Sequence, residues 1–286
     1  MAHLSSDSRV LLGSIRPALT FFYRSRFTRN YSSRYIRRAL AMLHEAAEHG
    51  NGSAMSFLGL AYSEAWGVPQ DMKKAIYWLQ QAADTGHQLA RYNLAVAYDN
   101  GLGVTRNRVQ AWLLFRGLAT EGYRDAQFGA AHMLFYGEGV VQNYSQARYW
   151  ARQAARQGHP EAMQLLGTCL LRGLGGPIRL PAAQRWLKRA VAGGSCLAVK
   201  RLAESWQHPA NTVRPESIVC YLERLLEARS KTVATQALYT LGCVGLQFPH
   251  LLPARRNNVT EYFRWAARFK HVEAALKFAQ LQGEDF

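Results

Sequence analysis

Residues Gln127–Ala162, QFGAAHMLFYGEGVVQNYSQARYWARQAARQGHPEA, decide the fold, because the same pattern returns on both sides without a gap. Met55–Ala90, Arg91–Ala126 and Met163–Ala198 can each be laid on it, which sets a period of 36 residues held through four units. Gly67, Gly103, Gly139 and Gly175 share one position, and Gly86, Gly122, Gly158 and Gly194 another. Ala75, Ala111, Ala147 and Ala183 coincide, as do Trp78, Trp150 and Trp186, with Leu114 in the remaining unit. A fixed period of this size marks a stack of supersecondary units, each of which needs its neighbours to bury an apolar face.

The spacing within a unit predicts two helices. Leu58, Gly59, Ala61 and Tyr62 recur at helical intervals, and a break follows at Ala65-Trp66-Gly67-Val68-Pro69. The sister units carry paired glycines there, such as Gly101 and Gly103, which supply the positive φ a helix exit needs. Asp71, Asn107 and Asn143 then stand where a helix N-cap belongs. Ala75, Trp78, Leu79, Ala82 and Ala83 form an amphipathic stripe that reads as core, tryptophan included, and Gly86 ends it.

These residues resemble the Sel1-like repeat, a relative of the tetratricopeptide repeat, with the pattern LGxxYxxGxGVxxDxxKAxxWxxxAAxxGxxxA. Leu58, Gly59, Tyr62, Gly67, Val68, Asp71, Lys74, Ala75, Trp78, Ala82, Ala83, Gly86 and Ala90 match it, while Ala65 stands in place of its first glycine. The resemblance implies an all-α fold, a right-handed α-solenoid of antiparallel helix pairs used as a scaffold for protein partners.

The expected organisation runs as follows. Residues 1–37 form a basic arm or cap outside the repeat, with seven arginines against Asp7 alone. Residues 38–54 repeat the second-helix half of a unit. Full units follow at 55–90, 91–126, 127–162 and 163–198, then degenerate ones at 199–234 and 235–274. Pro209 and Pro215 interrupt the first degenerate unit, and the Pro249–Pro253 loop lengthens the second. Residues 275–286 are expected to be a closing helix with an acidic tail. A mitochondrial presequence also fits the Arg- and Ser-rich arm, so the expected location is the cytoplasm, or the mitochondrion if the arm is a presequence. No apolar run approaches the length of a membrane span.

Net charge is +16, which predicts attraction to anionic partners and says nothing about fold. Cys169, Cys196, Cys220 and Cys243 form no CxxC, and Cys169 shares a core column with Ala61 and Ala97, so a reducing compartment is expected. His87, His159 and His271 share a loop column and read as structural. No Walker lysine, GxSxG, metal-ligand spacing or catalytic carboxylate pair occurs. The chain is therefore expected to have no catalytic, cofactor or metal residues.

Two binding surfaces remain. In tetratricopeptide-like stacks the first helices line the concave face, and there Tyr92, Asp99, Phe128, His132, Phe135 and Tyr136 are candidate partner-binding residues. Clustered exposed aromatics suit a peptide or helix; the alternative is that some of them pack between helices. The second surface is a basic column two residues after the tryptophan: Arg116, Arg152, Lys188, Arg224 and Arg264, with Gln80 in the first unit. It is a candidate anion-binding ridge, which with the N-terminal arm would hold nucleic acid or a membrane surface, or else a solvated helix face. No regular interleaving of aromatics with these cations is legible. A protein or peptide partner is therefore expected ahead of an acidic surface, and nucleic acid or a membrane surface comes last.

Overall fold

A computed structural model of the protein describes residues 33–206, 208, 215–226, 231–247, 259–269, 271, 274, 275, 278 and 279. Most of the arm, Pro209, the Pro249–Pro253 segment and most of the closing segment thus lie outside the described residues. Among those described there are thirteen helices and no strand. They are α1 (Ser33–Glu48), α2 (Gly52–Ser63), α3 (Met72–Asp84), α4 (Gln88–Asn100), α5 (Arg108–Thr120), α6 (Arg124–Tyr136) and α7 (Tyr144–Arg156), followed by α8 (Pro160–Arg172), α9 (Leu180–Ala192), α10 (Cys196–Trp206), α11 (Pro215–Leu226), α12 (Lys231–Gln247) and α13 (Val259–Arg268).

Local chemistry sets the helix boundaries. Side-chain oxygens of Asp71, Asn107 and Asn143 accept from the N–H groups of Lys74, Gln110 and Gln146 at 3.0–3.1 Å, satisfying donors that have no intrahelical partner. The first helices are capped in the same way. Asn51 Oδ1 accepts from Ala54 N–H at 3.0 Å, and His87 and His159 Nδ1 accept from Ala90 and Ala162 N–H at 3.3 Å. His271 does the same for Ala274 at 3.2 Å. The histidine column is thus an N-cap column. Glu161 Oε2 also lies 3.2 Å from His159 Nδ1. At the far ends Gly101, Gly137 and Gly173 adopt left-handed C-caps.

Two compact units divide between Gln142 and Asn143, inside the third full repeat. In the first, each helix from α1 to α5 packs on the next. Its core joins Leu43, Ala46, Leu58, Ala61, Leu79, Ala82 and Ala90. In the second, the helices pack in order from α7 to α10 and again from α11 to α13, and α8 with α10 and α10 with α12 make a further layer of contacts. Leu187, Val199, Leu202, Leu222, Val233, Leu241 and Tyr262 form a core that runs on through the repeats that have lost their glycines. Large buried side chains replace small ones there: Trp206 meets Tyr221 edge-on at 5.9 Å, and Gly242 lies against the ring of Phe263.

One expectation needs correcting. Trp78, Trp150 and Trp186 are only half-buried, and the buried column is the next residue: Leu79, Phe115, Ala151 and Leu187. The indole spans the edge between core and solvent, as its size and polar N–H favour. Trp78, for example, takes the edge of His44 at 5.5 Å.

Candidate functional site: an aromatic stripe on α6

The inward face of α6 is set by Ala126, Ala130, Ala131, Met133 and Leu134, all buried. Phe128, His132 and Tyr136 follow one another at i, i+4 and i+8, so they share another face. Their rings are in sequence, Phe128 to His132 at 6.0 Å and His132 to Tyr136 at 4.6 Å, and Phe135 stands edge-on to Tyr136 at 4.9 Å. Tyr136 is 57% exposed at the end of this row.

An ion-pair chain backs the stripe. Glu138, just past the Gly137 cap, has Oε2 3.6 Å from His132 Nδ1 and Oε1 2.9 Å from Arg108 Nη2 on α5. Arg108 Nε in turn faces Asp99 Oδ1 at 3.5 Å, and both of these atoms are shielded from solvent. Asp99 is therefore occupied by Arg108, and its own carbonyl accepts from Arg106 Nε at 2.7 Å. The carboxylates at this face position cations and the His132 ring; they present no acid–base pair.

Tyr92 turns elsewhere. It packs edge-on to Phe115 at 5.7 Å and tilted on Tyr123 at 5.6 Å, in the layer between α4 and α5. Burial first, then the nearby Asp125 charge, raises its phenol above the usual tyrosine range. The structure thus gathers Phe128, His132, Phe135 and Tyr136 on one helix, sets Asp99 in the supporting ion-pair chain and puts Tyr92 in the packing.

The basic column lies on the second helices of the repeats. Arg116 is exposed on α5 of the first unit. Arg152 is half-buried on α7, and Lys188, Arg224 and Arg264 are exposed on α9, α11 and α13 of the second. Arg264 pairs with Glu261 at 2.8 Å, and Gln80 donates to Asp84 Oδ1 at 2.9 Å. Among the described residues, no group of three or more His, Cys, Asp or Glu is placed to hold a metal ion, and no helix is long and apolar enough to cross a membrane.

Sequence reasoning missed one device beside the stripe. Gln70, Arg106 and Gln142 share a repeat position, and each side chain donates to the carbonyl seven residues earlier, at 2.7–2.8 Å. These bonds go to Ser63, Asp99 and Phe135, so they satisfy carbonyls at the ends of α2, α4 and α6. The signal was present as a column of long donor side chains.

Comparison with known proteins agrees with this architecture. The Sel1 repeat pattern matches residues 36–51, 52–87, 88–123, 124–159 and 160–195. The chain is similar in structure to c5321, a protective antigen present in uropathogenic Escherichia coli strains that displays an SLR fold. The TM-score is 0.72 at 29% identity, over 86% of this chain and 52% of that one. It thus spans about half the length of the E. coli protein. A Sel1 repeat protein from Oxalobacter formigenes superposes with a TM-score of 0.70 at 19% identity, over 88% of this chain and 98% of its own. No curated protein matches the sequence.

Proposed function

The chain belongs to the Sel1 repeat family, whose members are generally non-catalytic scaffolds for protein partners, and from that premise we propose that it is an adaptor gripping a peptide or helix of its partner on the aromatic stripe of α6. One observation carries this reading: Phe128, His132, Phe135 and Tyr136 form a continuous row of rings that ends at the solvent, with a supporting ion pair at Glu138. Large rings with few rotatable bonds lose little entropy on binding, which is why such residues dominate interface energetics. The basic column is a rim feature in this reading. Exposed ion pairs contribute at most about 1 kcal/mol each and are screened by salt. The same reading puts the protein in the cytoplasm; mature protein isolated from its own cells and starting beyond the arm would move it to the mitochondrion.

The test compares two variants for a partner cross-linked to the wild-type protein in its own cells. Phe135→Ala/Tyr136→Ala removes anchors without changing charge and should weaken binding by about 2 kcal/mol or more per true anchor. Arg116→Gln/Arg152→Gln/Arg224→Gln removes charge without touching the stripe and should leave the partner bound. Loss with the glutamine set and retention with the alanine pair would overturn the proposal.

A further inference from the structure

The positive charge of this protein lies in the arm, with seven arginines against Asp7, and in the second unit, not in the repeats between. Residues 38–142 carry 8 Lys and Arg against 9 Asp and Glu, whereas residues 143–286 carry 20 against 9. The same repeat type therefore folds in one chain with a net charge of −1 and of +11, so the fold itself does not require the excess. Some of it is placed at a cost to the helix. Arg148, Arg152 and Arg156 stand at i, i+4 and i+8 on α7, where like charges repel. Arg148 is only 6% exposed and donates from Nη1 to the Pro177 carbonyl at 3.3 Å, while Arg152 continues the row. Among the described residues neither Arg152 nor Arg224 makes an ion pair.

Aromatic rings stand beside other cations of the same unit, a pairing the sequence did not reveal. Lys188 Nζ of α9 sits 5.2 Å from the ring centre of the half-buried Tyr221 on α11. Arg189 lies 5.1 Å over Trp186, and Arg268 5.2 Å over Trp265. Trp265 is 47% exposed and Tyr149, on α7, 51%. The aromatic members come from different repeat positions, which hid them from a reading by columns.

We propose that the outer helices of the second unit, α7, α9, α11 and α13, bind single-stranded nucleic acid. Arg152, Lys188, Arg224 and Arg264 contact the phosphates, and Tyr149 and Trp265 stack on unpaired bases. Cations that track a backbone beside exposed ring faces are the combination that holds a single strand without reading its sequence. A duplex keeps its base faces stacked and offers the rings nothing. A membrane surface fits less well, because a helix seated in an interface carries a continuous apolar face of Trp, Phe and Leu opposite its cationic one. The exposed aliphatic residues described in this unit, Ile178, Leu197 and Leu246, lie on a loop, α10 and α12 instead. This surface is separate from the α6 stripe, and either can exist without the other.

The test uses the full chain, fluorescence anisotropy with a labelled oligouridylate, a duplex DNA of equal length, and vesicles with and without phosphatidylserine. The oligouridylate should bind more tightly than the duplex, with affinity falling steeply with salt. Each phosphate contact on a single strand contributes about 0.7 to the slope of log affinity against log salt. Arg152→Gln/Arg224→Gln should therefore flatten the slope by about 1.4. Trp265→Leu should weaken binding about tenfold with the slope unchanged. Arg9→Gln/Arg16→Gln removes the same charge from the arm and should cost less than the ridge pair. Equal loss from the arm pair, an unchanged affinity with Trp265→Leu, or binding to phosphatidylserine vesicles but not to the oligonucleotide would each overturn the proposal.

Discussion

Arg108 Nη2 lies 2.9 Å from Glu138 Oε1, tying the first turn of α5 to the turn that follows α6. The pair joins the two helices at the end of α6 where the aromatic stripe reaches solvent, just past the Gly137 cap. Glu138 also faces His132, so the contact that closes the repeat steadies a ring of the candidate site as well.

Arg108→Gln and Glu138→Gln should therefore be coupled. Both side chains are partly shielded, at 36% and 25% exposure. A double-mutant cycle by urea denaturation should return a coupling of about 0.5–1 kcal/mol, at the upper end for ion pairs of this kind. Additive losses would show that the pair does not hold the turn.

His87 links stability to pH. Burial lowers its pKa from the ordinary value of 6.5, and its Nδ1 must stay unprotonated to accept from Ala90 N–H. A depressed folded-state pKa means that the unfolded chain takes up the proton first. The contribution of His87 is thus complete above about pH 6.5 and is lost as pH falls below that value through the folded pKa. His87→Asn should keep the cap and remove this part of the acid sensitivity, as Asn51 occupies the same column with the same bond. His87→Ala should cost about 1 kcal/mol at neutral pH. Thermal melts from pH 7.5 to 5 would check both, and an unchanged pH profile for His87→Asn would refute the linkage.

The helix pairs were legible because turn chemistry repeats with the period: Asp71, Asn107 and Asn143 cap second helices at the positions their spacing required. The tryptophans misled because an amphipathic stripe shows which residues face inward but not how deeply. Leu187 is fully buried and its neighbour Trp186 only half so. At the candidate site the i, i+4, i+8 row of Phe128, His132 and Tyr136 could be read from spacing alone. The partners of Asp99 and Tyr92 could not, since Arg108 and Phe115 reach them from a neighbouring helix. The histidine caps were readable as a loop column, but histidine is an uncommon capping residue and the column carried no sign of its bond.

Two glycines of equal regularity should differ in their tolerance of alanine. Gly86 has φ +83° and nothing within 4 Å of where a Cβ would stand. Gly86→Ala should cost only the left-handed backbone term, about 1–2 kcal/mol. Gly103 has φ +72°, and a Cβ there would come within 2.6 Å of the Met72 carbonyl oxygen, at the start of α3. Gly103→Ala adds that clash against backbone and should cost well over the Gly86 change in urea denaturation. Equal losses would mean that the Gly103 position serves only to turn the chain, and not to let two repeats approach.

The last prediction concerns Cys169, which is fully buried on α8 with its thiol pushed up to about 11, chiefly by burial. Thiolate is the reactive form, so both access and ionisation protect this residue. Iodoacetamide at pH 8, followed by mass mapping, should modify the exposed Cys220 early and Cys169 only as the second unit opens. The Cys169 column also says what can replace it. Ala61 and Ala97 fill the same position in other repeats, both buried. Cys169→Ala should therefore cost about 1 kcal/mol or less, within the range of small volume changes. Cys169→Ser has nearly the same shape but buries a hydroxyl, and should cost about 1–3 kcal/mol unless that group finds an acceptor. Serine tolerated better than alanine, or Cys169 labelled as fast as Cys220, would show that α8 does not present this face to the core.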